Sequence, residues 1–117
     1  MVVDSLADER TDRVFHALAD PTRRDIVLRT LTGEHSVSAL ARSYPMSFAA
    51  VQKHVSVLEG AGLVTKQRNG REQLVRADVD TIRKAQQLLA QLEDIWRARI
   101  DRIGEILADD PQEGPTR

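Results

Sequence analysis

The sequence predicts one mainly α-helical domain that carries a two-stranded hairpin, and three observations within its 117 residues predict it. First, residues 47–64 hold apolar side chains at the spacing of one buried helix face. Directly after them, two short strand-like runs flank Asn69-Gly70, the strongest short-range hairpin signal. Last, Val79 to about Leu107 repeats apolar residues every three or four positions, a helix of roughly 40 Å at 1.5 Å per residue. A domain this small cannot cover such a helix.

Each element can be justified in order. Residues 1–19 read as a first helix, with Leu6, Val14, Phe15 and Leu18 on its apolar side and Asp4 or Ser5 as cap. Asp20 caps the second helix, and Pro21 takes its first position, where a missing amide costs nothing. Ile26, Val27 and Leu31 turn inward, and Gly33 closes this helix. Arg23 and Arg24 in its first turn are candidate phosphate contacts, although arginines there more often pair with nearby acids. Residues 36–42 allow only a short helix, capped by Ser36 or Ser38. Pro45 forces a break before the next helix begins. Ser47 caps that helix; Val51, Val55 and Leu58 form its buried side, with Ala50, Val57 and Ala61 half a turn round. Gly60 weakens the helix and Gly62 supplies a left-handed stop.

Short helix, tight turn and second helix make a helix-turn-helix unit. The hairpin of residues 63–68 and 72–76 that follows is a wing. The fold class is therefore mainly α with a two-stranded wing, a winged helix-turn-helix. On the last helix Ile82, Ala85, Leu89, Leu92, Trp96, Ile100, Ile103 and Leu107 make one stripe, widened by Leu88, Ile95 and Ile106. The surplus apolar surface is expected to pack against a second copy of the chain. The long helix completes a single dimerising domain over residues 1–108. Residues 109–117 are polar, broken by two prolines, and expected to be a disordered tail.

Once the apolar side of the helix after Ser47 is buried, Phe48, Ala49, Gln52, Lys53 and Ser56 remain for solvent. That face carries an amide and an ammonium but no acid, so it can lie against a polyanion and touch base edges in a major groove. An ordinary solvated helix would present a similar face, and the charge distribution bears on the choice. The whole chain carries −1. Residues 42–76 hold Arg42, Lys53, Lys66, Arg68, Arg71 and Arg76 against Glu59 and Glu72, a net +4, while residues 1–20 and 77–117 each sum to −3. The positive field is confined to the helix-turn-helix and wing, as docking on a phosphate backbone requires. A winged-helix module that only bound other proteins would not need that confinement.

Other classes fare worse. The 41% apolar and 30% charged residues suit a soluble globular protein, and no run approaches membrane-spanning length. The N-terminus lacks a basic-then-apolar leader pattern, so a cytoplasmic location is expected. The sequence contains no cysteine, which removes disulfides, thiolate metal sites and thiol redox sensing. It has no Gly-rich phosphate loop and no nucleophile elbow, so no enzyme is expected. His16 reads as a solvated helix residue, His35 as a loop residue, and His54 as a phosphate contact or a packed helix residue. No pair has the spacing of a zinc site, and neither metal nor cofactor is expected.

The combined residues resemble a known family. Leu18-Ala-Asp-Pro-Thr-Arg-Arg24, Val37-Ser-Ala-Leu-Ala41, Ser47 with Ala50-Val51 and His54, and Ala61-Gly-Leu-Val64 are similar to ArsR-type (arsenical-repressor-like) regulators, small winged helix-turn-helix repressors. The resemblance covers about residues 12–107. It implies a homodimer formed through the first and last helices, operator binding at an inverted repeat of double-stranded DNA, and repression relieved by a signal. Phe15 would then join Leu89, Leu92, Trp96, Ile100 and Ile103 at the dimer interface. On matching positions it implies Ser47, Gln52, Lys53 and His54 near DNA, with Arg68, Asn69, Gly70 and Arg71 in the wing. The long last helix with Trp96 is most similar to the autorepressor-like branch without metal sites. Three departures stand out. Residues 38–42 lack the cysteines of the family's metal sensors, and residues 78–107 contain no histidine. Phe48 and Ala49 replace the polar residues common at the start of the recognition helix.

Overall fold

A computed structural model describes residues 9–108. The elements run α1 (Glu9–Leu18), α2 (Pro21–Thr32), β1 (His35–Ser36), α3 (Val37–Arg42), α4 (Phe48–Gly60), β2 (Val64–Asn69), β3 (Glu72–Ala77) and α5 (Val79–Ala108). The sequence-based caps Asp4 and Ser5, the apolar Leu6 and the tail 109–117 fall outside the described residues. The chain divides into two compact units, one running to Ala85 and one starting at Gln86.

In the first unit the helices from α2 onward begin where a side chain satisfies their orphan amides. Asp20 accepts from the Arg23 amide at 3.0 Å, with Pro21 in the first turn. Ser36 accepts from Ala39 at 3.0 Å and Ser47 from Ala50 at 3.1 Å. Asp78, not Asp80, caps α5, its Oδ1 accepting from the amides of Asp80 and Thr81. Gly62 takes φ +77, the left-handed geometry that ends α4 and turns the chain into the wing.

Ile26, Leu40, Val51, Val55, Leu58, Leu63, Val64 and Val75 are fully buried, and Ile82 and Ala85 from the start of α5 pack against them. The core thus lies among α2, α3, α4 and the sheet. On α2 the inward face is Ile26, Val27 and Thr30. Leu31, expected inside, is 46% exposed. One helical step separates Leu31 from Thr30, and the hydroxyl takes the inner place without loss. It donates within its own helix, to the carbonyls of Ile26 at 2.8 Å and Val27 at 3.1 Å.

The sheet has three antiparallel strands in the order β1-β3-β2, one more than the sequence suggested. His35 pairs with Val75 and Ser36 with Leu74, so the stretch expected as loop is a two-residue strand. In the wing Asn69 pairs with Glu72, which leaves Gly70-Arg71 as the turn. Gly70 has φ +64 and Arg71 has no positive φ, the combination of a type II′ turn, one residue further on than an Asn-Gly turn would lie. No helix among the described residues is long and apolar enough to cross a membrane.

The turn between α3 and α4 is tied to α2. Tyr44 donates its hydroxyl to Asp25 Oδ2 at 2.5 Å, and Arg29 Nε donates to the same oxygen at 2.7 Å. The Arg29 guanidinium carbon also lies 5.4 Å from the centre of the Tyr44 ring. The Tyr44 and Arg29 hydrogen bonds hold the Asp25 carboxyl below its ordinary range. Burial, then the Asp25 contact, pushes the Tyr44 hydroxyl up to about 12. Because the folded-state value of Asp25 is depressed, its contribution is present above the unfolded carboxylate value and lost as pH falls through the folded one. Tyr44→Phe should therefore cost about 1 kcal/mol at pH 7. In thermal melts the gap between the two proteins should narrow as pH is lowered from about 4 towards 2. A nonzero gap that is the same at both ends would mean that the Tyr44 hydroxyl contributes independently of the Asp25 charge.

Candidate nucleic-acid interface

Three side chains fix how α4 is turned about its axis. Val51, Val55 and Leu58 are wholly enclosed at i, i+4 and i+7, so the opposite face has to point outward. Phe48, Gln52 and Ser56 form one exposed ridge at four-residue spacing, with Ala49 and Lys53 beside it. Phe48 is 49% exposed. Ser47 precedes them, its hydroxyl occupied as the cap.

His54 stands apart from this group. It is half-buried, and Arg23 Nη1 lies 3.2 Å from its Nδ1. A guanidinium can only donate, so Nδ1 accepts and the ring proton belongs on Nε2. The same Arg23 donates from Nε to the Ala17 carbonyl at 2.7 Å and from Nη2 to the His16 carbonyl at 3.3 Å. Arg24 donates to the Leu18 carbonyl at 2.8 Å. Neither arginine meets an acid side chain among the described residues; both donate to carbonyls at the end of α1. The Arg23 amide, and to a smaller degree the Arg23 guanidinium, hold Asp20 below its ordinary range.

The six bases of residues 42–76 separate into two sets. Lys66 pairs with Glu59 at 3.3 Å, and Arg76 pairs with Glu34. Arg42, Lys53, Arg68 and Arg71 are exposed and have no ion-pair partner among the described residues. Arg68, Asn69, Gly70 and Arg71 occupy the end of β2 and the exposed wing turn. Glu59 is neutralised by Lys66, so among the described residues Glu72 is the one unpaired acid of the segment. Among the described residues there is no group of three or more His, Asp or Glu side chains able to hold a metal ion.

The residues that the sequence did not single out are Arg23 in its clasping role and the Asp25–Arg29–Tyr44 cluster. Asp25 and Arg29 at i, i+4 were a legible pair, but nothing local announces Tyr44, 19 residues away from Asp25.

A capped reading helix, a buried stripe that fixes its rotation and a basic wing define a winged helix-turn-helix protein. The helix-turn-helix domain family matches residues 18–67. The HTH-type transcriptional regulator Rv2034 of Mycobacterium tuberculosis is 43% identical over 57% of this chain and 63% of its own, so the match spans less than two thirds of that relative. The ArsR-like transcriptional regulator from Rhodococcus sp. RHA1 is 33% identical with a TM-score of 0.74, over 83% of this chain and 92% of its own. The homodimeric winged helix-turn-helix DNA-binding domain of Mb0332 from Mycobacterium bovis, a possible ArsR-family regulator, is 25% identical with a TM-score of 0.63, over 78% of this chain and 85% of its own. This chain belongs to the ArsR family of winged helix-turn-helix transcriptional regulators. Its family and fold are those of regulators and not of enzymes.

The Arg23 clasp generates a test. Arg23→Ala and His54→Ala should each lower the melting temperature, and the double variant should lose less than the two single losses added, with a coupling of about 1 kcal/mol. Strict additivity would show that the two side chains stabilise the fold independently.

Proposed function

We propose that this chain is a cytoplasmic DNA-binding transcriptional regulator, a repressor that acts as a homodimer on an inverted-repeat operator. The separation of the cations carries the reading. The helix-turn-helix and wing keep Arg42, Lys53, Arg68 and Arg71 unpaired and exposed among the described residues, while Lys66 and Arg76 are neutralised by acids. Exposed cations without acids to pair with leave a positive surface that an anionic partner can neutralise. In the proposed complex α4 enters a major groove. Gln52 reads a base edge, Ser47, Phe48, Ala49, Lys53 and Ser56 border it, and Arg68 to Arg71 lie along the backbone. His54 supports α4 from the protein side.

The homodimer rests on exposed apolar surface. In the unit from Gln86, Leu89, Leu92, Trp96, Ile100 and Ile103 are all at least 44% exposed, and no residue of α5 is buried. A lone chain leaves that stripe in water at roughly 25 cal/mol per Å². A second copy covers it. The homodimeric state of the Mb0332 domain supports this arrangement.

Two substitutions separate reading from holding. Gln52→Ala should cost ~1–3 kcal/mol on the cognate operator and little on random duplex, relaxing selectivity at one position per half-site. Arg71→Ala should weaken both DNAs nearly alike and lower the salt slope by about one for each phosphate left without its cation. Eight free cations in a dimer imply on the order of six to eight phosphate contacts, hence a ~10³-fold or greater loss of wild-type affinity between 50 and 200 mM salt. These titrations on operator and random duplex also test the DNA reading itself. A flat salt response would favour a module that binds protein instead.

Trp96→Ala tests the dimer. An aromatic at the centre of an interface typically contributes about 2 kcal/mol or more, so sedimentation should show monomer released at concentrations where the wild type is dimeric. If the sedimentation profile stays that of the wild type, Trp96 lies outside the interface.

A further inference from the structure

The first outward turn of α4 lacks hydrogen-bonding side chains. Phe48 is the only exposed large hydrophobic between residues 36 and 77, all of them described, and it belongs neither to the core nor to the side chains packed on it. Ala49 beside it is also exposed, and the Ser47 hydroxyl is already taken by the Ala50 amide at 3.1 Å. The ridge becomes polar only at Gln52, one turn on. The same helix-turn-helix also carries charge, since Lys53 lies on α4 beside the ridge and Arg42 ends α3, both exposed and without an ion-pair partner among the described residues.

An apolar spot set in a cationic surface fits a polyanion that carries an apolar group of its own. Along the major-groove edge of duplex DNA the bases offer polar donors and acceptors, with one exception, the 5-methyl group of thymine. A phenyl ring and an alanine methyl can cover that group, and neither can satisfy a guanine, a cytosine or an adenine edge. We infer that Phe48 and Ala49 are specificity-determining residues that read thymine 5-methyl groups. Each operator half-site then carries thymine opposite the first turn of α4, next to the base edge met by Gln52. The inference rests on the operator binding proposed above and names what the apolar part of that face recognises.

The test starts from duplexes selected by the full-length wild type out of a random library, so that the half-site is defined without assumption. Each thymine of the half-site is then replaced singly by deoxyuridine, which removes the methyl group and keeps the pairing. One or two positions should each lose about fourfold in affinity per half-site, and about 15-fold when both half-sites lack the methyl. With Phe48→Ala the preference for thymine over uridine at that position should disappear, while the preference at the Gln52 position persists and the melting temperature holds. Phe48→Leu, still apolar, should keep part of the thymine preference. If uridine is neutral at every position with the wild type, or Phe48→Ala retains the full preference, the inference is overturned while operator binding stands. If no duplex is selected at all, the operator reading falls, and the thymine assignment falls with it.

Discussion

The enclosure of Val51, Val55 and Leu58 is the constraint on which the outward chemistry depends. Three fully buried side chains at i, i+4 and i+7 leave α4 one rotation about its axis. Turning the helix by one residue would carry Gln52 or His54 into the core, where an amide or imidazole without partners costs several kcal/mol. The polar face is therefore selected by apolar packing on the other side. Truncating Leu58 would blur the reading surface before it touched any base-contacting residue, because a cavity loosens the element that aims it.

Rotation alone does not fix where the helix sits, and α2 supplies the rest. From its first turn Arg23 reaches both the carbonyl end of α1 and His54 on α4. Further along it, Asp25 and Arg29 hold Tyr44 in the turn that leads into α4. Two short polar clusters thus anchor the middle and the approach of one helix to a common support. Both are local enough to be fully satisfied: no buried side-chain nitrogen or oxygen among the described residues lacks a hydrogen-bond partner. Networks completed in this way rigidify an element instead of destabilising it. Arg23 and Arg24 both donate to the otherwise unsatisfied carbonyls at the end of α1.

The order of helices, their caps and the wing were legible because each has a local signature. Asp20-Pro21, Ser36, Ser47 and Gly62 act within three or four residues of themselves, and the structure uses all of them. The strand of His35 and Ser36 was not legible, since two residues carry no periodicity and pair only because β3 passes beside them. Leu31 was misplaced for the same kind of reason. Periodicity admits two neighbouring faces of α2, and only tertiary packing decides that Thr30 is the inner one. In the candidate site, the exposed set on α4 followed from spacing. The engagement of His54 by Arg23, across 31 residues of sequence, is a tertiary contact that no spacing rule contains. The wing turn lies between these cases, because Asn-Gly marks a hairpin while the register against Glu72 decides which two residues turn.

The sparse charge of the interface has a consequence for selectivity. A protein that held many free cations would bind any duplex strongly, and base readout would add little to the total. Here the segment 42–76 starts with six bases and commits two of them to Glu59 and Glu34. The chain as a whole remains at −1, so its long-range field gives non-specific DNA little attraction beyond the contact zone. In the proposed complex, binding free energy would then come in larger part from groove contacts on the ridge of Phe48, Gln52 and Ser56, contacts that would form only when the bases match. There the internal ion pairs Lys66–Glu59 and Arg76–Glu34 would lower the non-specific background more than the specific affinity, since they engage cations away from that ridge. A weakly charged, well-aimed surface is how a chain with an acidic balance can still discriminate one duplex sequence from the rest.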